Sequence, residues 1–315
     1  MPSNKVRISI IIPTYNRKEI VRILLNALRN DARSQAAADL EIIVANDRST
    51  DGTGEMLAAE FPEIRVVAGP GKNAELAKRA AIEVCTGDYV VALDDDSLPE
   101  DGWIAKIIPA IERGEKIIQS KIVFIDQGQH NLHDESRKHW RVGFTWDAVA
   151  EAVLNGGFRQ QYIPICHEFG LFVAREVLAV APLDDPNLLF DHQGEAASFY
   201  LRIHRMGYRV FFDPSCVIDH LGALHGGCKD RDGKAAPKKN CTAYAQGMVR
   251  NRMVLAMMHS PLKIPLLIPY YVAGGFYLSF KQRKPCYRYF LRGIRDGLLR
   301  RTVPIIPYLN LSNPQ

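Results

Sequence analysis

The first hundred residues repeat one pattern, in which a largely apolar run is followed by a polar loop and then by an amphipathic segment. The apolar runs occupy residues 8–12, 41–45, 64–67 and 88–93. Runs that are rich in β-branched residues and apolar on both faces are typical of parallel strands inside a sheet. Because strands that alternate with helices connect by right-handed crossovers, all of these strands should point the same way. The sequence therefore predicts a three-layer α/β fold, with a mostly parallel central sheet and helices on both faces.

The polar loops after these strands contain the candidate site. In a parallel sheet the carboxyl ends of the strands lie at one edge, and ligands of such sheets bind there. Asn16 is also expected to cap the helix that follows the first loop, with Glu19 three residues later. The side chains that this edge should gather are Thr14, Tyr15, Asn16, Asp47, Asp94, Asp95 and Asp96.

Three consecutive aspartates, Asp94, Asp95 and Asp96, follow the fourth strand. If the chain continues in an extended conformation, Asp94 and Asp96 project to one side and Asp95 to the other. Carboxylates this close repel one another, and a bound cation removes that cost. Oxygen ligands favour Mg²⁺ or Mn²⁺ over zinc. The alternative is a solvated turn in which Asp96 or Ser97 caps the next helix.

Three motifs, at residues 9–17 (SIIIPTYNR), 41–52 (EIIVANDRSTDG) and 87–97 (GDYVVALDDDS), stand in this order along the chain. Together they resemble the inverting family-2 glycosyltransferases. The resemblance implies the A-type glycosyltransferase fold, with a donor-binding half over 1–98 and an acceptor-binding, catalytic half over 99–258. The implied activity is metal-dependent transfer of a sugar from a nucleotide diphosphate, most often a UDP-sugar, to an acceptor hydroxyl.

The resemblance also implies roles for individual residues on the donor side. Thr14, Tyr15 and Asp47 would contact the nucleotide base, and Asp94 would contact the ribose. Arg79 matches an arginine that faces the nucleotide in such enzymes, although Ala80 stands where the family usually has Asn. The full set of expected donor-binding residues is Pro13, Thr14, Tyr15, Asn16, Asp47, Arg79, Asp94 and Asp95.

A divalent cation, Mg²⁺ or Mn²⁺, is the implied cofactor. By the same resemblance Asp96 would hold the metal that binds the diphosphate. Family members often add a histidine ligand, for which His220 is the candidate and His225 the fallback. In this chemistry the metal neutralises the charge that develops on the leaving oxygen.

The general base is expected at the start of a helix near residue 195. Residues 190–195 (FDHQGE) place carboxylates before an apolar helical stretch, and a helix N-terminus stabilises a carboxylate. In the family an acidic pair precedes this helix, and an ungapped alignment puts Glu195 on the first acid and Ala196 on the second, where the usual base lies. Glu195 is therefore the first candidate and Asp191 the second. The alternatives are that these acids only cap the helix, or that activity has been lost.

The C-terminal segment is basic. From Lys281 onward there are eight Lys and Arg against only Asp296, so this segment carries +7 and the rest carries −2, for a net charge of +5. Before it stand seventeen uncharged residues, 264–280, whose prolines and glycines argue against a membrane span. The sequence predicts a helical tail over 259–315 that contacts an anionic membrane surface. The alternative is a helical hairpin packed into the core.

The remaining features limit the location and the partners. Six scattered cysteines without a CxxC pair favour a reduced, cytoplasmic chain, bound peripherally at the inner face of the membrane through its tail. The expected partners are a nucleotide-sugar donor and a glycan, lipid-linked or small-molecule acceptor, and nucleic acid is not expected. Two rival functions remain: an inactive donor-binding scaffold, and a sugar-nucleotide nucleotidyltransferase, whose Gly-rich phosphate loop the first strand lacks.

Overall fold

A computed structural model describes residues 5–71, 74–124, 161–163, 169–185, 187–188, 195–221 and 243–300. The chain divides into two compact units. The first comprises Met1–Pro182 and Arg202–Ala223, and the second comprises Leu183–Leu201 and Leu224–Gln315. The functional division at residues 98 and 258 stays a prediction.

Within the described residues, the first unit contains a nine-stranded sheet. Its strands are β1 (Arg7–Thr14), β2 (Asp39–Asn46), β3 (Arg65–Ala68), β4 (Tyr89–Ala92), β5 (Ser97–Pro99), β6 (Ile117–Phe124), β7 (Gln161–Ile163), β8 (Leu171–Ala174) and β9 (Val210–His220). Its helices are α1 (Lys18–Asn30), α2 (Ala32–Ala37), α3 (Thr53–Glu60), α4 (Ala74–Ile82), α5 (Trp103–Glu112) and α6 (Arg175–Val180). A further helix, α7 (Glu195–Arg205), precedes β9 along the chain.

The sheet has the strand order β3-β2-β1-β4-β8-β6-β9-β5, and β7 also pairs with β9. Strands β3, β2, β1 and β4 are parallel neighbours, and β6 is parallel to β9. Strand β8 runs antiparallel between β4 and β6, while β5 and β7 run antiparallel to β9. Six of these nine strands therefore point the same way. The predicted α/β fold with a mostly parallel sheet is confirmed.

The centre of the sheet is buried on both faces, as its β-branched runs predict. On one face, the small residues Ala77 and Ala81 of α4 pack against Ile11 of β1 and Val90 of β4. Ile10 is also fully buried, and it lies on the other face because successive strand residues alternate. Two-sided burial fixes the position of β1, so the loop that follows it has a rigid base.

The start of α1 differs from the sequence-based expectation. Asn16 does not cap this helix, because Asp51 Oδ2, in the loop after β2, accepts the backbone N–H of Lys18 at 3.0 Å. Asn16 has a left-handed backbone (φ 51°), and its Oδ1 accepts the backbone N–H of Thr50 at 2.7 Å. Each loop therefore supplies a side-chain oxygen that accepts a backbone N–H from the other side: Asp51 accepts that of Lys18, and Asn16 accepts that of Thr50.

The second unit contains the C-terminal helices α8 (Ala243–His259), α9 (Ile264–Gln282) and α10 (Tyr287–Leu298), with a short 3-10 helix at Pro261–Lys263. Helices α8 and α10 approach closely: a Cβ on Gly297 would lie 2.5 Å from Met253 Cβ. The expected helical C-terminal region is thus confirmed. Within the part of the chain that the structure describes, no helix combines the length and the apolar content needed to cross a membrane.

The cysteines depart in part from the expectation of a reduced chain. Cys85 and Cys216 are free and buried. Burial raises the pKa of the Cys216 thiol to about 12, so the thiol is protonated at neutral pH, the form that is a weak nucleophile. Cys286 is disulfide-bonded, so the expectation is wrong at this position.

Candidate functional site

The loops after β1 and β2 are tied together at the carboxyl edge of the sheet. The backbone N–H of Asp47 donates to the carbonyl oxygen of Thr14 at 2.9 Å. The backbone N–H of Asn16 donates to Ser49 Oγ at 3.0 Å. The structure therefore brings together Thr14, Asn16 and Asp47, as the strand order requires.

Asp47 is buried and also holds the loop after β3. Its Oδ1 accepts the backbone N–H of Gly71 at 2.5 Å. Gly69 lies directly against it, since a Cβ at this position would lie 2.8 Å from Asp47 Cα. Asp47 thus holds the loop after β3 in place. Its contact with a nucleotide base stays a prediction.

Asp94, Asp96 and His220 form a group that could hold one metal ion. One oxygen of each carboxylate and one ring nitrogen of the histidine all lie within 4.8 Å of one another. His220 Nε2 lies 3.7 Å from Asp94 Oδ2 and 3.5 Å from Asp96 Oδ1. The two carboxylates suit Mg²⁺ or Mn²⁺, and the imidazole is a ligand more typical of transition metals, so these residues could hold a divalent cation and match Mn²⁺ better than Mg²⁺.

Strand pairing brings His220 to the aspartates across more than a hundred residues of sequence. In the antiparallel pair of β5 and β9, Ser97 is opposite His220. The backbone N–H of Leu221 donates to the carbonyl oxygen of Asp96 at 2.8 Å, and the ring of Phe169 lies 5.1 Å from the His220 ring, centroid to centroid. Asp96 is buried while Asp94 and His220 are partly exposed, so the group is accessible from solvent.

Asp95 faces away from this group. Its Oδ2 accepts the hydroxyl of Thr14 at 2.9 Å, and its Oδ1 accepts Arg17 Nη1 at 2.5 Å. The segment is a turn and not extended, because the Ser97 backbone N–H donates to the Asp94 carbonyl at 3.0 Å. The condition of an extended backbone is therefore not met, although Asp94 and Asp96 do share a side.

Burial and nearby charges shift the pKa values of Asp95 and of its partner Arg17. Burial raises the pKa of Asp95 to about 6, against the opposing effect of Arg17 and together with the charge of Asp96. Burial alone would lower the pKa of Arg17, but the charges of Asp95 and Asp96 outweigh it and raise that pKa. Arg17 therefore stays a cation behind the aspartates. Contact of Asp95 or Thr14 with a donor stays a prediction.

Helix α4 presents Lys78 to the aspartates, a residue that sequence reasoning missed. Lys78 is buried, and its Nζ lies 2.9 Å from Glu75 Oε1 and 3.8 Å from Asp94 Oδ1. The predicted donor residue Arg79 is the next residue of α4 and is partly exposed. Its nucleotide contact stays a prediction. The i,i+3 spacing of Glu75 and Lys78 was the sequence signal available for this pair.

The candidate general bases are only partly within the described residues. Glu195 is the first residue of α7, and its side chain lies outside the described residues. Asp191 and His225 lie outside them entirely. Their roles stay predictions, as do the donor contacts of Pro13 and Tyr15, which lie in β1 and in the loop that follows it.

Comparison with known proteins identifies the family. The family model described as Glycosyl transferase family 2 matches residues 9–178, which is more than half of the chain. The chain belongs to glycosyltransferase family 2. The matched range contains the three sequence motifs, so the family recognised from the motifs is confirmed.

The relatives of this family-2 glycosyltransferase are similar over part of their length. Chondroitin synthase of Escherichia coli is 27% identical over 172 residues, which is 53% of this chain and 23% of that protein. Abequosyltransferase RfbV of Salmonella typhimurium strain LT2 is 38% identical over 104 residues, covering 30% of this chain and 29% of that protein. The chain thus matches about a quarter of the length of these curated relatives.

A solved structure shows the same fold. It is the mannosyltransferase PcManGT from Pyrobaculum calidifontis in complex with GDP-Man and Mn²⁺, with a TM-score of 0.55 and 18% sequence identity. The similarity covers 96% of this chain and 89% of that protein. The A-type glycosyltransferase fold inferred from the motifs is therefore confirmed.

Proposed function

We propose that this chain is an inverting glycosyltransferase that moves a sugar from a nucleotide diphosphate to an acceptor hydroxyl, with a divalent cation held by Asp94, Asp96 and His220. One observation carries the proposal. Ligand atoms of these three residues lie within 4.8 Å of one another at the sheet edge where ligands of α/β folds bind. In a family of glycosyltransferases, such a group has an evident use in holding a diphosphate.

The residues of the group would hold the cation in the following way. Asp96 is buried and its carbonyl oxygen accepts the backbone N–H of Leu221, so it would be the rigid ligand, while the partly exposed Asp94 and His220 would face the donor. A bound Mg²⁺ or Mn²⁺ supplies Lewis-acid stabilisation of the leaving diphosphate. Lys78, 3.8 Å from Asp94, adds a second positive charge beside this carboxylate.

The nucleotide would bind on the loops after β1, β2 and β4. Asp47 and Tyr15 would contact the base, and the interlocked turn at Asn16 keeps these loops in place before the donor arrives. We propose a UDP-sugar as the donor, since this is the most frequent donor in the family. The mannosyltransferase of similar fold was solved with GDP-Man, so GDP is the nucleotide to compare with UDP.

The chemical step needs a base for the acceptor. The acceptor oxygen attacks the anomeric carbon, the bond from that carbon to the diphosphate breaks, and the hydroxyl proton passes to a carboxylate. We assign this carboxylate to Glu195, the first residue of α7, with Asp191 as second candidate. The N-terminus of an eleven-residue helix would keep the carboxylate ionised before the reaction. The acceptor would be a glycan, a lipid-linked sugar or a small molecule.

A thermal-shift experiment tests the donor and metal site. UDP should raise the melting temperature of the protein only when Mn²⁺ is present, and Asp96→Asn should abolish that rise. The matched control is Asp101→Asn, which removes an exposed carboxylate elsewhere on the surface and should keep the rise. If UDP without any cation stabilises wild type and Asp96→Asn equally, the proposed coordination is wrong.

One observation favours a second function, that of an inactive donor-binding scaffold. Ala196 occupies the position where the family usually has its base. Turnover separates the two functions. With Mn²⁺ and a UDP-sugar, an enzyme releases UDP, and Glu195→Gln should remove most of that release. A scaffold would bind UDP but would not release it from the UDP-sugar.

A further inference from the structure

Helix α9 has a row of exposed apolar side chains along one face. These residues are spaced three, four or seven positions apart or are adjacent in sequence. Such spacing places them on one side of α9 and of the short 3-10 helix that precedes it. Each is between 53% and 92% exposed, namely Leu262, Leu266, Tyr270, Phe276, Tyr277 and Phe280. Because α9 has 19 residues, the row is about 28 Å long.

The opposite face of α9 is already covered. Tyr271 is buried in a cluster with Phe290 and Ile294 of α10, and Ile268 and Val272 pack against the same cluster. Helix α9 is therefore apolar on both sides, a composition that is typical of a helix with no exposed face. Among the described residues of this unit only the side facing α10 is covered, so the exposed row is a surface on which a partner could bind.

The charges around the row indicate the chemistry of that partner. Residues 261–300 contain one acid, Asp296, which is buried and accepts from Gln246 and Arg295. The cations of the same segment are all exposed, namely Lys263, Lys281, Arg283, Lys284, Arg288, Arg292, Arg295 and Arg300. A second copy of this surface would bring like charges together. An anionic lipid bilayer would accept both the apolar row and the cations.

We propose that α9 lies in the plane of an anionic bilayer, with the exposed row at the level between the headgroups and the acyl chains. Tyr270 and Tyr277 are suited to that level, because a tyrosine ring has an apolar body and a polar end. Lys281, Arg283 and Lys284, directly after the row, would contact the phosphates of the headgroups. A helix in the plane also agrees with the finding that no described helix has the properties of a membrane span.

Vesicle co-sedimentation of the full chain tests this surface. Wild type should bind phosphatidylcholine vesicles that contain phosphatidylglycerol and bind pure phosphatidylcholine vesicles much less. Leu266→Glu/Phe280→Glu should lower the partition coefficient at least about tenfold, since it puts charge into the row. Arg283→Glu/Lys284→Glu should lower binding to the anionic vesicles. The matched control is Val180→Glu, an exposed valine of α6, which should bind like wild type.

Several results would overturn the proposal. They are no binding of wild type to anionic vesicles, equal binding of Leu266→Glu/Phe280→Glu, or equal binding of wild type to neutral vesicles. A dimer in light scattering that the Leu266→Glu/Phe280→Glu variant converts to a monomer would assign the row to a second copy instead. Binding that weakens as NaCl is raised supports the proposal without any variant. None of these measurements needs turnover, so they are independent of the proposed enzymatic function.

Discussion

Arg17 Nη1 lies 2.5 Å from Asp95 Oδ1 and 3.5 Å from Asp96 Oδ2. This contact joins the first sequence motif to the third, between the start of α1 and the end of β4. Arg17 compensates the charge of the buried Asp95, and it approaches Asp96 at Oδ2 whereas His220 approaches Asp96 at Oδ1. Arg17 therefore offsets part of the repulsion that Asp95 would otherwise add to Asp96.

We expect Arg17→Met to destabilise the protein by about 3–5 kcal/mol, because it removes the cation that balances the buried Asp95 carboxylate. The side chains of Arg17 and Asp95 are only 14% and 5% exposed. Chemical denaturation would measure the loss. The control Arg22→Met breaks an exposed pair with Glu60 and should cost much less. Arg17→Met/Asp95→Asn should recover most of the loss, and a failure to recover would show that packing, not charge, is the cause.

We expect His220→Gln to weaken Mn²⁺ binding on the order of tenfold or more, since a lost ligand should cost at least as much as a lost outer-shell partner. Titration calorimetry with Mn²⁺ alone would measure the affinity. His204→Gln, an exposed histidine of α7, is the matched control and should bind Mn²⁺ like wild type. Unchanged affinity in His220→Gln would leave the aspartates as the ligands and remove the histidine from the site.

A pH-dependent contribution to stability is expected from Glu41. Its Oε2 accepts the hydroxyl of Ser9 at 2.5 Å and the backbone N–H of Thr86 at 2.7 Å. Burial alone would raise the pKa of Glu41, but these hydrogen bonds outweigh it and lower that pKa. A carboxyl whose pKa is lower in the folded state stabilises the protein above its unfolded pKa of about 4.3, and this contribution is lost as the pH falls through the folded pKa.

The difference in unfolding free energy between wild type and Glu41→Gln should therefore be largest at neutral pH and shrink as the pH falls below about 4. Urea titrations at several pH values would measure it. Ser9→Ala removes one of the donors and should reduce the pH dependence without removing it. A difference that stays constant from about pH 7 to about pH 3 would show that the ionisation of Glu41 does not contribute to stability.

The sequence predicted what depends on local pattern, and missed what depends on how elements dock. The runs at Ile10 and Ile43 predicted buried parallel strands, and parallel strands place their loops at one edge by geometry alone. The choice between Lys78 and Arg79 depends on which face of α4 meets the sheet. Ala77 and Ala81 pack against the sheet and so determine which side of α4 faces Asp94. This packing is seen in the structure and does not follow from the local sequence pattern.

The cap of α1 was missed for a related reason. Asn16 has the right residue type for a cap, but the N-cap position is held by Arg17, and Asp51 from the next loop accepts the first N–H of the helix. A local rule cannot include a group that arrives from thirty-odd residues away. The second half of the site stays a prediction, because Asp191 and the Glu195 side chain lie outside the described residues.

Gly170, between Phe169 and β8, has a position that only glycine fits. Its φ is +63°, and its backbone N–H donates to the carbonyl of Ala92 at 2.8 Å. A Cβ at this position would lie 2.8 Å from both Ile122 Cδ1 and Ile218 Cδ1. An alanine would therefore meet backbone strain and a packed core together.

We expect Gly170→Ala to cost about 2–5 kcal/mol, of which about 1–2 kcal/mol comes from the left-handed backbone and the remainder from overpacking. Gly114→Ala is the matched control, because Gly114 has φ +89° and a Cβ there would have no atom within 4 Å, so it should show the backbone cost alone. Thermal and urea unfolding would measure both variants. Because Phe169 contacts the His220 ring, Gly170→Ala should also weaken Mn²⁺ binding while Gly114→Ala should not. Equal stability losses in the two variants would mean that Ile122 and Ile218 move aside, and that this wall of the site is less rigid than its packing indicates.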